Sequence, residues 1–468
     1  LRMSRGLGDV YKRQLYIAIL LLAGVLTSCK VGKSYVRPDL HLPDSLERAQ
    51  DSISFGDQDW RDIYTDATLR SLIERALDHN KDMLIAAARV KEMAAQKRIS
   101  TAALLPDIKG KVTAERELEN HGGDAFKRSE TFEAQFLVSW ELDLWGNLRW
   151  ARSASIAEYL QSIEAQRALR MTIVAEVAQA YYELVALDTE LDIVKQTLKA
   201  REEGVRLARI RFAGGLTSET SYRQAQVELA RTATLVPDLE RKISLKENDI
   251  AYLAGEYPNK IARSRLLQEF NSPETLPVGL PSTLLERRPD IRQAEQKLIA
   301  ANAKVGVAYT NMFPRLALTG GFGSESTSLS ELLKSPYAVM EGALLTPIFG
   351  WGKNRAALKA KKAAYEAEVH SYEKAVLEAF KETRNAIVNF NKIKEVYELR
   401  ANLERSAKSY MDLAQLQYIN GVINYLDVLD AQRGYFDAQI GLSNAIRDEL
   451  IAVVQLYKAL GGGWEQNP

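Results

Sequence analysis

One cysteine and four histidines in 468 residues leave little from which to build a disulfide or a metal centre. Cys29 is that cysteine, so no internal disulfide can form. His41, His79, His121 and His370 are too scattered for metal-ligand spacing. No GxxxxGK[ST] phosphate loop, no HExxH and no GxSxG occurs, and Gly461-Gly462-Gly463 reads as a helix C-cap. Charge of one sign is missing too. The 62 Lys and Arg against 61 Asp and Glu exclude a basic field for nucleic acid and an acidic tail. Past Cys29 no apolar run reaches about eighteen residues, which excludes a hydrophobic membrane-spanning helix there. The expectation is a protein that is not an enzyme and holds no cofactor or metal.

What the chain does have is itself, twice. Trp145-Gly146 recurs as Trp351-Gly352 and Arg149 as Arg355, an offset of 206 positions (351 − 145). At that offset Phe212-Ala-Gly-Gly215 recurs as Tyr418-Ile-Asn-Gly421, and Ala225-Gln226 as Ala431-Gln432. Upstream, Asp82 and Pro106 recur as Asp290 and Pro314. A period this long is a duplication of a whole structural unit, unlike the short period of a solenoid.

Within a unit the hydrophobic period switches from helix to strand and back. Asp82–Leu105 is Ala-rich and helical, and Pro106 ends it. Strands are expected over Asp107–Glu117 and Thr131–Leu144. In the second, Phe132, Ala134, Phe136, Val138, Trp140, Leu142 and Leu144 share one face, with Leu137 the exception on the polar side. After Trp145-Gly146 a coiled-coil seam runs from Ile173 to Phe212, alternating steps of four and three and broken only by Arg201. Gly214-Gly215 makes a tight turn, and Thr217–Ala254 returns as a helix with a kink expected at Pro237. At 1.5 Å per residue, Arg149–Phe212 spans roughly 95 Å, and the two shorter helices together match it at roughly 93 Å. The fold class is mostly α with β: a duplicated helix–strand–strand–long helix–helix unit, a rod with a hairpin at one end.

The N-terminus speaks to compartment. Lys12 and Arg13 precede the apolar stretch Leu15–Leu26, too short to span a bilayer as a stable helix, and Leu26-Thr-Ser-Cys29 follows. This resembles a bacterial lipobox, with Cys29 the lipidated first residue; a chance cysteine behind a signal sequence is the alternative. The expected organisation is a signal peptide over 1–28, an extended lipidated segment over 29–65, and repeats over 66–280 and 281–468. Each strand is close to the 9–11 residues that cross a bilayer. Four strands cannot close a barrel, so insertion requires several protomers to pool them. Trp140, Trp145, Trp150 and Trp351 sit at the strand–helix junctions, where an interfacial aromatic girdle belongs. An ordinary half-buried sheet is the alternative reading of the alternation.

Cys29 with Val31-Gly32 and Tyr35-Val-Arg-Pro38, Asp143-Leu-Trp-Gly146, Arg287-Arg-Pro-Asp-Ile-Arg-Gln-Ala-Glu295, Gly421-Val-Ile-Asn-Tyr-Leu-Asp427-Val-Leu-Asp430-Ala-Gln432 and Leu456–Trp464 together resemble the TolC-like outer-membrane factors of the NodT type. The resemblance covers Cys29 to Trp464. It implies a trimer with a twelve-stranded outer-membrane β-barrel continued by a periplasmic α-helical tunnel. It also implies a tripartite efflux system, with a periplasmic adaptor, an inner-membrane resistance–nodulation–division transporter and the outer-membrane lipid as partners. An exit duct for secreted proteins and a non-conducting coiled-coil lipoprotein are the alternatives.

With that frame, the turns at Gly214, Gly215 and Gly421 become the periplasmic tips. Asp427 and Asp430 are three apart on one helix face and would line the aperture as stacked carboxylate rings, with Tyr418 a weaker candidate. Complementation of the helix dipole, about 0.3–1 kcal/mol, would explain the same carboxylates. Related proteins can carry a basic latch residue shortly after the turn glycine. Ile423 stands there in this chain, which leaves Arg209 and Arg211 as substitutes.

Overall fold

The computed structural model describes residues 30–40, 42, 54–120, 122, 126–270, 276–277 and 281–464. Helices α1 (Trp60–Ile63), α2 (Ala67–His79) and α3 (Lys81–Ala102) lead into strands β1 (Asp107–Glu119) and β2 (Lys127–Leu142). Helices α4 (Asn147–Ala213) and α5 (Glu219–Leu253) complete the first half. The second half runs α6 (Pro281–Arg287), α7 (Pro289–Thr310), β3 (Arg315–Ser326), β4 (Pro336–Leu345), α8 (Lys353–Ile419) and α9 (Tyr425–Ala459). The duplication is visible in the lengths: 22, 67 and 35 residues for α3, α4 and α5, and again for α7, α8 and α9.

Local chemistry explains the boundaries. Helix α4 starts at Asn147 because the Asp143 carboxylate accepts the N–H groups of Leu148 and Arg149 at 3.0 and 2.9 Å, capping two of the free donors at its start. Pro237 lies inside α5, which runs unbroken through it. The N-terminal segment is not extended as far as residue 65. Residues 30–40 lack regular structure, but Phe55–Asp57 and α1 are helical, because Phe55, Trp60 and Tyr64 bury their rings in a core. Cys29 and the expected signal peptide lie outside the described residues.

The chain forms two compact units. One takes the segment ending at Asp39, Arg89–Ile163 and Gln293–Glu373; the other takes Leu40–Ala88, Glu164–Arg292 and Lys374–Pro468. Each draws on both halves of the sequence, so the expected division at 280/281 is not a spatial one. The reason is that α4 and α8 each contribute to both units.

The first unit holds a single antiparallel sheet in the order β1-β2-β3-β4. Its register extends the alternation expected for β2 across all four strands. Ile108 pairs with Val138, Val138 with Gly320, and Gly320 with Met340; Phe136 pairs with Phe322, and Leu142 with Leu316 and through it Leu344. One face is therefore apolar from edge to edge, and it is exposed, with Val112, Phe322 and Met340 at 83, 63 and 87%. The other face carries Lys109, Lys111, Glu133, Gln135, Glu141, Thr319 and Glu341. Leu137, the exception, packs near Gly321 on that polar side, where the missing side chain leaves room. A small core beside the sheet centres on Trp150, with Ala154, Ala303 and Val307.

The second unit holds the main core, in which Leu69, Leu72, Ile73, Tyr181, Leu184, Ile250 and Leu460 are fully enclosed. Tyr457 joins it to the turn at Phe55, the rings 5.4 Å apart and edge-on.

Two helical glycines give a contrast that tests the packing. A Cβ at Gly306 would lie 2.3 Å from the Trp150 ring, whereas one at Gly434 would meet nothing within 4 Å. Gly306→Ala should destabilise by about 1–3 kcal/mol, and Gly434→Ala should be neutral or stabilise by up to about 1 kcal/mol. Thermal denaturation of the detergent-solubilised variants reads both; equal midpoints would contradict the placement of Trp150.

Candidate functional site

The helix tips of the second unit are closed by two copies of one motif. After α4, Leu216 N–H donates to Arg211 O at 2.8 Å and Gly215 N–H to Phe212 O at 3.0 Å; after α8, Val422 and Gly421 repeat the pattern onto Gln417 and Tyr418 at 2.9 and 3.0 Å. These are Schellman caps, which need a left-handed residue at the turn. Gly215 (φ 71°) and Gly421 (φ 75°) supply it, and Gly214 is not required to. Leu216 and Val422 project outward, both exposed.

Of the aperture candidates, Asp427 and Asp430 are exposed and Tyr418 is not, at 7%. The Asp427 carboxylate accepts the N–H of Asn424 at 3.0 Å and closes a capping box, so its helix-end role is real. Its position on the surface leaves a carboxylate oxygen free for solvent or ions. Tyr418 packs its ring 5.4 Å from that of Tyr425, and the Arg211 guanidinium lies over it at 4.7 Å. Arg211 thus ties the end of α4 to the end of α8, while Arg209 is exposed.

The residues that the sequence pattern did not pick out lie just behind. Arg201, the break in the coiled-coil seam, is buried and faces Glu228 on α5, its Nη1 3.2 Å from the carboxylate. Arg433 on α9 reaches the same carboxylate at 2.5 Å, and Arg201 also bonds Glu228 O and the Thr232 hydroxyl. The Arg433 hydrogen bond holds the Glu228 carboxyl below the usual glutamate range, and burial lowers the pKa of Arg201. Three helices from both halves meet on one buried carboxylate. The available signal was Arg201 itself: a cation at a seam position demands an anion opposite.

At the junctions of the first unit the four tryptophans part company. Trp140 Nε1 donates to Leu104 O at 3.0 Å; Trp145 Nε1 donates to Pro314 O at 2.8 Å and stacks on Phe313. Trp351 is 90% exposed. Trp150 departs from the expected girdle, because at 4% exposure, with Nε1 bonded to Val31 O and Lys30 over its ring, it has no face left for lipid. Among the described residues no cluster of His, Cys, Asp or Glu could hold a metal, and no helix is long and apolar enough to cross a membrane.

An exposed apolar sheet face, junction aromatics and paired helix tips set the terms for comparison with known proteins. A family model described as outer membrane efflux protein matches twice, over residues 72–256 and 280–462. The chain belongs to that family. It is 33% identical over 471 residues to Outer membrane protein OprJ of Pseudomonas aeruginosa, covering 96% of each. It is 31% identical to the Solvent efflux pump outer membrane protein SrpC of Pseudomonas putida, over 96% of this chain and 97% of that one. Among solved structures, the outer-membrane channel OprN superposes with a TM-score of 0.87 at 28% identity, covering 93% of this chain and 100% of that one. The chain is therefore an outer-membrane efflux channel protein.

In this efflux protein the motifs that carried the family resemblance turn out to be partners. Arg37 forms a two-pronged ion pair with Glu295, 2.7 Å on each side, and the Tyr35 hydroxyl joins at 3.1 Å. Burial against that carboxylate pushes the Tyr35 pKa up. Arg288 grips Asp290 and Glu382, each at 2.6 Å, and donates to Ala459 O. These residues hold the N-terminal segment and the helix ends in place.

The buried carboxylate yields a pH-dependent prediction. Its pKa is lower folded than unfolded, so its contribution is complete above the ordinary glutamate value of about 4.3 and is lost as pH falls through the lowered folded value. Glu228→Gln should cost about 3 kcal/mol at neutral pH, the low end for breaking a buried pair because Arg433 reaches solvent. The difference in denaturation midpoint from wild type should shrink below about pH 4. A pH-independent difference would mean the carboxylate charge is not what holds the helices.

Proposed function

We propose that three copies of this chain pool their four-stranded sheets into one twelve-stranded outer-membrane barrel. Their helices continue it as a periplasmic tunnel, and Cys29 adds a lipid anchor. In this reading the chain is the exit duct of a tripartite pump for small toxic compounds. A periplasmic adaptor and an inner-membrane resistance–nodulation–division transporter supply contact and energy. The observation that carries the reading is the sheet: one face apolar across all four strands, the other mixed but holding Lys109, Lys111, Glu133, Gln135, Glu141, Thr319 and Glu341, as a lipid-facing wall with a wet lumen requires. The name of the solvent-pump relative supports the class of cargo.

At the periplasmic tips, Asp427 and Asp430 form rings of three carboxylates that favour cations and narrow the passage. Because Asp427 also caps α9, substitution by Asn separates the two roles: the amide oxygen can still accept the Asn424 N–H, but the charge is gone. Asp427→Asn/Asp430→Asn should leave the assembly folded and reduce the cation-over-anion permeability ratio several-fold in planar bilayers. A ratio equal to wild type would make these carboxylates helix caps and nothing more.

A further inference from the structure

A cleft of about 310 Å³ lies in the second unit, on the seam between α4 of the first half and α9 of the second. Helix α8 and the segment after α5 complete its walls. That volume is at the small end of the range for small-molecule sites. One chain builds every wall. Next to the lining residues along α4 and α9, Val194, Ala438 and Ala445 are buried at 1, 2 and 5% within that chain. The seam is therefore closed by the chain itself, without a neighbouring copy.

The lining carries charge of one sign. Asp192 and Glu404 are its charged residues, and neither forms an ion pair among the described residues. The neutral polar groups are likewise set to accept. The Gln439 amide nitrogen donates to the Tyr435 hydroxyl at 3.0 Å, which leaves the Gln439 carbonyl oxygen as an acceptor. That hydroxyl in turn bonds Glu404; burial first, and then the carboxylate, raises the Tyr435 pKa. Thr189 donates its proton to Val185 O at 3.0 Å and keeps only acceptor capacity.

One polar group in the cleft is unfinished. Ser443 lines it at 3% exposure, and its hydroxyl has no hydrogen-bond partner among the described residues. A buried hydroxyl is costly to leave in that state, so it calls for a partner entering from the cleft. Ile193, Leu266, Leu442 and Ile446 add apolar surface beside it.

Carboxylates without cations, acceptor oxygens and an apolar wall are the complement of an organic cation: an ammonium that donates, on a body that packs. An anion would be repelled, and a bare inorganic cation would have no use for the leucines. We propose that this seam binds a primary ammonium carried on a small apolar body. Asp192 and Glu404 draw the charge, the Ser443 hydroxyl accepts from the ammonium, and the body packs against Leu442 and Ile446. The occupant bridges α4 to α8 and α9, and so ties the two halves of the chain at this level. The site depends neither on the barrel nor on the carboxylates of Asp427 and Asp430.

The test titrates the full-length, detergent-solubilised assembly with 2-phenylethylammonium, 2-phenylethanol and 3-phenylpropionate at neutral pH, following binding by calorimetry. The three share an apolar body and differ in the polar group. The ammonium should bind about tenfold or more tighter than either of the others. Asp192→Asn/Glu404→Gln should abolish that preference. Ser443→Ala should weaken ammonium binding several-fold while the denaturation midpoint holds or rises, since it removes a hydroxyl with no partner in the protein. A hydroxyl with a purely structural role would lower the midpoint on removal and leave binding alone. Equal binding of the alcohol, a preference unchanged in Asp192→Asn/Glu404→Gln, or ammonium binding unaffected by Ser443→Ala would each overturn the proposal.

Discussion

Lipid can wet one face of this sheet, but it cannot satisfy the sheet's edges. β1 and β4 each present a row of backbone N–H and C=O groups with no partner within the sheet, and in hydrocarbon each unsatisfied group costs several kcal/mol. The apolar face excludes the other remedy, which is to leave the hairpins in water. A contiguous exposed surface of that composition is far from the norm of a soluble monomer. The sheet is thus suited to a membrane by its face, while its edge strands β1 and β4 have no partner strand among the described residues. The twofold recurrence of the unit follows the same logic, since each half brings one hairpin and neither hairpin could cross a bilayer alone.

The helical part solves a different problem. Three helices drawn from both halves must stay together near the tips. A purely apolar seam would fix them by area alone. The chain instead buries a charge, with Glu228 shared between Arg201 and Arg433. Buried ion pairs contribute little net stability against an apolar replacement, but they are unforgiving about geometry, because any displacement strands a charge. Such a contact defines a position more sharply than it deepens a well. Arg211 over Tyr418 does the same in softer form about three turns nearer the tip.

Much of this was legible in the residues. The duplication, the β2 alternation, the long helices and both glycine turns follow from period and from Gly and Pro placement, which are local signals. The family followed from motifs whose meaning was obscure until Arg37 met Glu295 and Arg288 met Asp290 and Glu382, all pairings distant in sequence or between charges that abound along the chain. Trp150 misled because position in sequence at a junction does not reveal whether a ring points to lipid or into a helix pair; Gly306, which makes room for it, lies 156 positions on (306 − 150). The extended segment expected up to residue 65 failed for a related reason. Phe55, Trp60 and Tyr64 are spaced too irregularly to show a period, and only the Tyr457 side of the core reveals what they bury against.

The central claim is that the free edges β1 and β4 pair between protomers. Single cysteines on the two edge strands, at Val112 and Met340 and at neighbouring positions to sample register, in a Cys29→Ser background, test it most directly. Oxidation of the membrane-embedded protein should give a covalent ladder that stops at three chains, formed only when both edges carry a cysteine. Rapid cross-linking of β1 to β4 within a single chain, or a ladder that runs past three, would contradict the shared barrel.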